Sequence, residues 1–125
     1  MDILPAKILT IDDEPLLRRS LVCFLEDSGF DIIEASNGQE GLAAFRQQKP
    51  DLVISDLQMP VMSGLELLQE ITRESPQTPV IVLSGAGVMD DAIAALRLGA
   101  WDYMLKPVQD MAVLEHSIVK GIEKQ

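Results

Sequence analysis

The chain has 125 residues, the size of one domain, and 47% of it is apolar, enough for a single core. Twenty acidic against ten basic residues give a formal charge of −10, a surface that repels phosphate backbones and argues against direct nucleic-acid binding. The single cysteine rules out an internal disulfide, and no apolar run reaches membrane-spanning length.

The opening Met1-Asp2-Ile3-Leu4-Pro5 lacks the basic-then-apolar order of a signal peptide, so a cytoplasmic domain without a membrane anchor is expected. The whole of residues 1–125 reads as one domain, with a core from about 7 to 123 and neither repeats nor linkers. Short apolar runs then alternate with helical patterns. Ile8-Leu9-Thr10-Ile11 is the first strand, and a helix from Pro15 to about Asp27 follows, with proline in its first turn and Gly29 after its end. Cys23 lies in the apolar stretch Leu21-Val22-Cys23-Phe24-Leu25 and is expected to be a buried, unreactive thiol. Asp31 to Glu34 forms a second strand, short and flanked by acids, which suits a sheet edge.

The second helix runs from Gly38 to about Gln48, with Asn37 as its cap. Leu52-Val53-Ile54-Ser55 is the third strand and Leu65 to about Glu74 the third helix. Val80-Ile81-Val82-Leu83 is the fourth strand. The helix after it, Met89 to about Leu98, carries Ile93 and Leu96 on its apolar face, with Gly99 as C-terminal cap. Tyr103-Met104-Leu105 is the fifth strand, and Asp110 to Glu123 the last helix. Near-continuous Val, Ile and Leu runs mark parallel strands covered on both faces. Five β-α units imply an α/β fold: a doubly wound, flavodoxin-like parallel sheet, order 2-1-3-4-5, with right-handed crossovers.

In such sheets ligands bind beyond the carboxyl ends of the strands. There stand Asp12-Asp13-Glu14 after the first strand, Asp56 after the third, Ser84 after the fourth and Lys106-Pro107 after the fifth. Crowded carboxylates raise one another's pKa unless a cation intervenes. Lys106 supplies one charge, and Mg²⁺, which favours carboxylate and phosphate oxygens, would balance the rest. An Asp facing Mg²⁺ and a lysine is a competent nucleophile for phosphoryl groups, and a nearby hydroxyl can donate to the product. Asp12 or Asp13 also suits a helix N-cap before Pro15. The lone His116 has no Cys or His partner nearby in sequence and is not expected to bind metal.

The runs Asp12-Asp13-Glu14-Pro15, Ser55-Asp56-Leu57-Gln58-Met59-Pro60-Val61-Met62-Ser63-Gly64, Ser84-Gly85 and Gly99-Ala100-Trp101-Asp102-Tyr103-Met104-Leu105-Lys106-Pro107, in this order and spacing, resemble the response-regulator receiver domains of two-component signalling, the superfamily that includes CheY. The resemblance covers about residues 7 to 123. It implies that Asp56 is the phosphoacceptor and that Asp12 and Asp13 hold Mg²⁺ (with Mn²⁺ as a substitute), one of them through water. It further implies that Gln58 gives its backbone carbonyl to the metal and that Lys106 pairs with phosphoryl oxygens. Ser84 and Tyr103 would be the switch pair, Lys106–Pro107 a cis bond, and Pro60 and Gly64 would shape the loop that carries Asp56. Gln58 and Ala86, each two residues beyond a site residue, would flank the phosphoryl group.

The implied protein is a signalling domain that catalyses only its own phosphorylation and dephosphorylation. Its partners would be a histidine kinase or phosphotransfer protein, a C-terminal effector such as a sigma-factor-regulating adaptor, and a second copy. The last contact would use the face of the fourth helix, fifth strand and fifth helix, including Ala95, Trp101, Asp102 and Met111. Trp101 suits either an exposed partner contact or half-burial against the fourth helix; Tyr103 also suits plain core packing, and Met59 and Met62 suit packing. Three rivals remain weaker. A haloacid-dehalogenase-type phosphatase needs an Asp where Gln58 stands, and a flavodoxin-like cofactor binder needs a loop rich in Ser, Thr or Gly where Asp12-Asp13-Glu14 stands. A phosphate-independent interaction module leaves the full motif set unexplained.

Overall fold

The structure, a computed structural model, describes residues 5–59, 61–85 and 89–124, with the side chains at 89 and 90 outside that description. The strands are β1 (Lys7–Ile11), β2 (Asp31–Ala35), β3 (Leu52–Asp56), β4 (Val80–Ser84) and β5 (Asp102–Leu105). The helices are α1 (Pro15–Asp27), α2 (Gly38–Gln48), α3 (Gly64–Glu74), α4 (Met89–Arg97) and α5 (Met111–Lys124). All strand pairs are parallel and the sheet order is β2-β1-β3-β4-β5, as the α/β reading expects, with β2 at an edge.

The side-chain period of two sends successive residues of each strand to opposite faces. Leu9, Ile11, Val53, Val80 and Val82 pack with Leu42, Phe45, Leu67, Leu68 and Ile71, from α2 and α3, and with Ala95 of α4. Ile8, Leu52, Ile54, Ile81 and Leu83 pack with Leu21 and Leu25 of α1 and with Leu114 and Ile118 of α5. Three helices therefore cover one face and two the other. Local signals fix the helix ends. The Asn37 side chain accepts from the Glu40 amide. Ser63 and Glu66 form a reciprocal capping box that starts α3 one residue before the predicted position.

Several expectations change. Cys23 is exposed: Leu21, Val22 and Leu25 form the buried stripe of α1, and Cys23 falls outside it. On α4, among the described side chains, the buried residues are Ala92 and Ala95, whereas Ile93 and Leu96 are 42% and 51% exposed. The helical period holds, but the face turned to the sheet is the small one. Ala95 is thus core, not surface. Trp101 is half-buried against α5 rather than α4: its indole N–H donates to the Ser117 carbonyl at 3.0 Å. Gly121 makes room for the ring, since a Cβ there would lie 3.0 Å from the indole nitrogen. Asp102 and Met111 are also half-buried, and Asp102 directs its carboxylate inward to the Ser117 hydroxyl at 2.6 Å and the Tyr103 amide at 2.8 Å. Pro60 and Ala86 lie outside the described residues.

Candidate acidic site at the carboxyl edge of the sheet

Asp56 and Ser84 are the last residues of β3 and β4 rather than the residues after them. Strand register therefore fixes both positions. Asp12 follows β1 directly, with its amide bonded to the Ala35 carbonyl at 3.2 Å. Lys106 follows β5 and donates its amide to the Ser84 carbonyl at 2.8 Å. Neighbouring strands β1, β3, β4 and β5 so deliver two acids, a hydroxyl and an amine to one edge.

Carboxylate oxygens of Asp12, Asp13, Glu14 and Asp56 lie within 4.8 Å of one another. Asp12 and Asp56 are buried, while Asp13 and Glu14 are exposed at the mouth. The Lys106 ammonium stands 2.7 Å from Asp56 Oδ2, 3.2 Å from Asp12 and 2.6 Å from Glu14. Its three donors match three carboxylates. Burial opposes the charge on Lys106, but the hydrogen bonds to Asp56 and Glu14 and the charges of Asp56 and Asp12 outweigh it, so its pKa is raised. Asp12 is also raised, chiefly by burial; the Glu14 amide and Lys106 pull it back, and repulsion from Asp56 is the smallest contribution. Desolvation rather than mutual repulsion thus leads.

Of the other predicted residues, Gln58 touches this cluster directly. Gln58 is exposed, and its backbone N–H donates to Asp56 Oδ1 at 3.2 Å. Ser84 is fully buried, and its hydroxyl lies 3.5 Å from the Gly85 carbonyl, long for a hydrogen bond. Tyr103 is half-buried and packs against the α2–α3–α4 side of the core. The Lys106–Pro107 peptide is cis. Gly64 sits where a Cβ would come within 2.3 Å of the Asp56 carbonyl oxygen, so α3 can start against the end of β3 only with glycine there. A cavity of about 450 Å³ opens over Asp13, Glu14, Asp56, Gln58, Gly85 and Lys106.

Two contributors were not assigned from sequence. Glu14 was read only as part of the acidic run, yet it holds Lys106. Arg18 was overlooked; it donates to the Asp12 carbonyl at 2.6 Å. Its signal is positional: helical side chains lean toward the N-terminus, so a cation one turn into a helix reaches the loop before it. The donor set fits a hard divalent cation, being oxygen-only, acidic and partly open to water.

Residues 8–118 match the family model described as the response regulator receiver domain. The chain is 40% identical over 120 residues to the transcriptional regulatory protein GlrR of Escherichia coli strain K12, covering 96% of this chain and 27% of GlrR. A solved response regulator receiver domain protein from Clostridium thermocellum superposes with a TM-score of 0.91 at 39% identity, covering 95% of each chain. The solved receiver domain of NtrX from Brucella abortus superposes with a TM-score of 0.89 at 32% identity, covering 94% of this chain and 99% of that one. The chain spans 27% of the length of GlrR and 50% of that of the probable transcriptional regulator ycf27 of Porphyridium aerugineum.

Proposed function

Because the chain belongs to the response-regulator receiver family, and is a signalling module of two-component systems rather than a metabolic enzyme, we propose that it accepts a phosphoryl group on Asp56. The observation that carries this reading is the cluster of Asp12, Asp13, Glu14 and Asp56 around one ammonium, Lys106. Asp12, Asp13 and Asp56, with the Gln58 carbonyl, would hold Mg²⁺, or Mn²⁺ in its place. When bound, the ion neutralises charge on the transferring phosphoryl oxygens. Asp56, held against Lys106, attacks phosphorus with the oxygen that the lysine does not engage, while the P–N bond to the donor's phosphohistidine breaks and its imidazole leaves with the bonding pair and takes up a proton. Lys106 follows the charge as it moves to the phosphoryl oxygens. The Ser84 hydroxyl then donates to the phosphoryl group, and Tyr103 follows it inward.

The donor is a histidine kinase or phosphotransfer protein, and the site of action is the cytoplasm. No helix among the described residues is long and apolar enough to cross a membrane. The output face is α4-β5-α5, where a second copy or an effector docks. Its apolar surface is carried by Ile93, Leu96, Leu105 and Val113, exposed by 42–55%, and not by the half-buried Trp101, Asp102 and Met111. The unit 1–125 is one receiver domain whose effector lies C-terminal to it. Relatives named as transcriptional regulators favour a transcriptional effector over a sigma-factor-regulating adaptor. With its charge of −10, the receiver itself leaves nucleic acid to that effector.

Intact mass after incubation with acetyl phosphate tests the proposal. A gain of one phosphoryl group is expected with Mg²⁺, and none without Mg²⁺ or in Asp56→Asn. No gain in the wild type, or an equal gain in Asp56→Asn, would reject Asp56 as the acceptor.

A further inference from the structure

We propose that Arg18 is a positioning residue for the acidic turn, and that the affinity of the pocket for a divalent cation depends on it; this rests on the reading of that pocket as a Mg²⁺ site. Three consecutive carboxylates, Asp12, Asp13 and Glu14, repel one another, and nothing in their own charges holds the turn together. Besides its ion pair with Lys106, Asp12 is fixed at three points. Its amide donates to the Ala35 carbonyl at 3.2 Å. Its Oδ1 accepts from the Glu14 amide at 2.9 Å. Its carbonyl oxygen accepts from Arg18 Nη1 at 2.6 Å. The last is the contact that a side chain outside the turn makes with the turn's backbone.

Arg18 is built for that task. Its side chain is only 16% exposed, and its Nε donates to Glu34 Oε1 at 3.1 Å. Glu34 stands on edge strand β2 and also pairs with Arg19. The planar fork of a guanidinium takes two acceptors in fixed relative positions, which a lysine cannot do. Arg18 therefore ties the turn after β1 to the strand beside it, and the orientation of the Asp12 carboxylate inherits that constraint. Groups that orient a metal's ligands typically change affinity by tenfold or more when removed.

Charge alone predicts the opposite sign. A guanidinium close behind the acids repels a cation, so its removal would tighten metal binding through Coulomb's law. Positioning and repulsion can thus be told apart by the direction of one change.

The test is calorimetric titration of Mg²⁺ into wild type, Arg18→Ala and Arg18→Lys, with thermal melts of the metal-free proteins alongside. Arg18→Ala is expected to weaken Mg²⁺ binding by about tenfold. Arg18→Lys, which keeps the charge but reaches one acceptor, is expected to fall between it and the wild type. The acetyl phosphate reaction should need more Mg²⁺ for half its maximal rate, with the plateau little changed. Unchanged or tighter Mg²⁺ binding in Arg18→Ala would overturn the inference, as would a lowered melting temperature with unaltered affinity. If Arg18→Ala does not fold, wild-type affinity in Arg18→Lys would overturn it. A wild type that binds no Mg²⁺ would reject the metal reading and this inference with it, an outcome distinct from the others.

Discussion

The two neighbours of β4 and β5 are held in opposite ways. At the carboxyl edge, Lys106 alone engages three carboxylates, and Asp12 is fixed through its amide, carbonyl and side chain. On α4, among the described residues, the buried side chains are the methyl groups of Ala92 and Ala95, the latter packed in the core with the strands, while Ile93 and Leu96 are exposed. The adjoining α3 buries Leu67, Leu68 and Ile71. Three such side chains contribute roughly 5–9 kcal/mol as an upper estimate, against under about 2 kcal/mol for two alanine methyl groups. The acidic cluster therefore stands on strand ends, and among the described residues the helix beside it buries less apolar side chain than α3. Few buried apolar contacts mark the less stable elements of a fold.

The largest effect is expected at Lys106. Lys106→Met keeps the length of the side chain but leaves the buried carboxylates of Asp12 and Asp56 without their cation. Breaking a buried pair in this way costs about 3 kcal/mol or more. Urea unfolding at neutral pH without divalent ions should show that loss, and Mg²⁺ should restore much of it by replacing the missing charge. Loss that Mg²⁺ cannot restore would mean that the ammonium acts as packing rather than as a counter-ion. The sign with pH follows from the raised pKa of Lys106. Its contribution is fully present below its ordinary value of 10.5 and is lost as pH rises through the higher folded value.

Much of this contrast was legible in the sequence for one region and little for the other. Alternating Val/Ile/Leu runs and helical patterns defined the five units, and the observed β2-β1-β3-β4-β5 order is the usual one for a doubly wound sheet of that size. Asp12, Asp56, Ser84 and Lys106 could be assigned to one edge because strand ends in a parallel sheet share a side. The facing of α4 could not be read, because apolar period alone does not tell whether large or small residues meet the sheet. Ile93 and Leu96 are the apolar residues that a pattern selects, yet Ala92 and Ala95 are the ones buried. Cys23 misled for the same reason, an apolar run of five on a helix being wider than its buried stripe. Arg18 escaped notice because its partners are a backbone carbonyl and a residue on another strand, neither of which a local motif displays.

A medium effect is expected at the opposite end of β5. The Ser117 hydroxyl donates to Asp102 and the Ser117 carbonyl accepts from Trp101, so α5 and the start of β5 are joined at one residue. Ser117→Ala removes a hydrogen bond to a charged group and keeps the carbonyl, which costs about 1.5–3 kcal/mol. The urea midpoint should fall while the acetyl phosphate reaction keeps its rate, because the bond lies at the other end of the strand from Lys106. A lowered rate with full stability would mean that the two ends of β5 are coupled more tightly than their separate contacts imply.

The smallest effect on stability, and the one that most sharpens the contrast, belongs to α4. Ile93→Ser and Leu96→Ser alter side chains that are about half exposed, so each should change unfolding free energy by no more than about 1.5 kcal/mol, half the value for full burial. If these side chains are the apolar part of the output face, their loss should weaken self-association of the phosphorylated protein, measured by sedimentation, with no more than that change in stability. The opposite pattern, a large loss of stability with association unchanged, would show that Ile93 and Leu96 anchor the helix after all. It would also remove the reason for treating α4 as the loosely held partner of a rigid acidic edge.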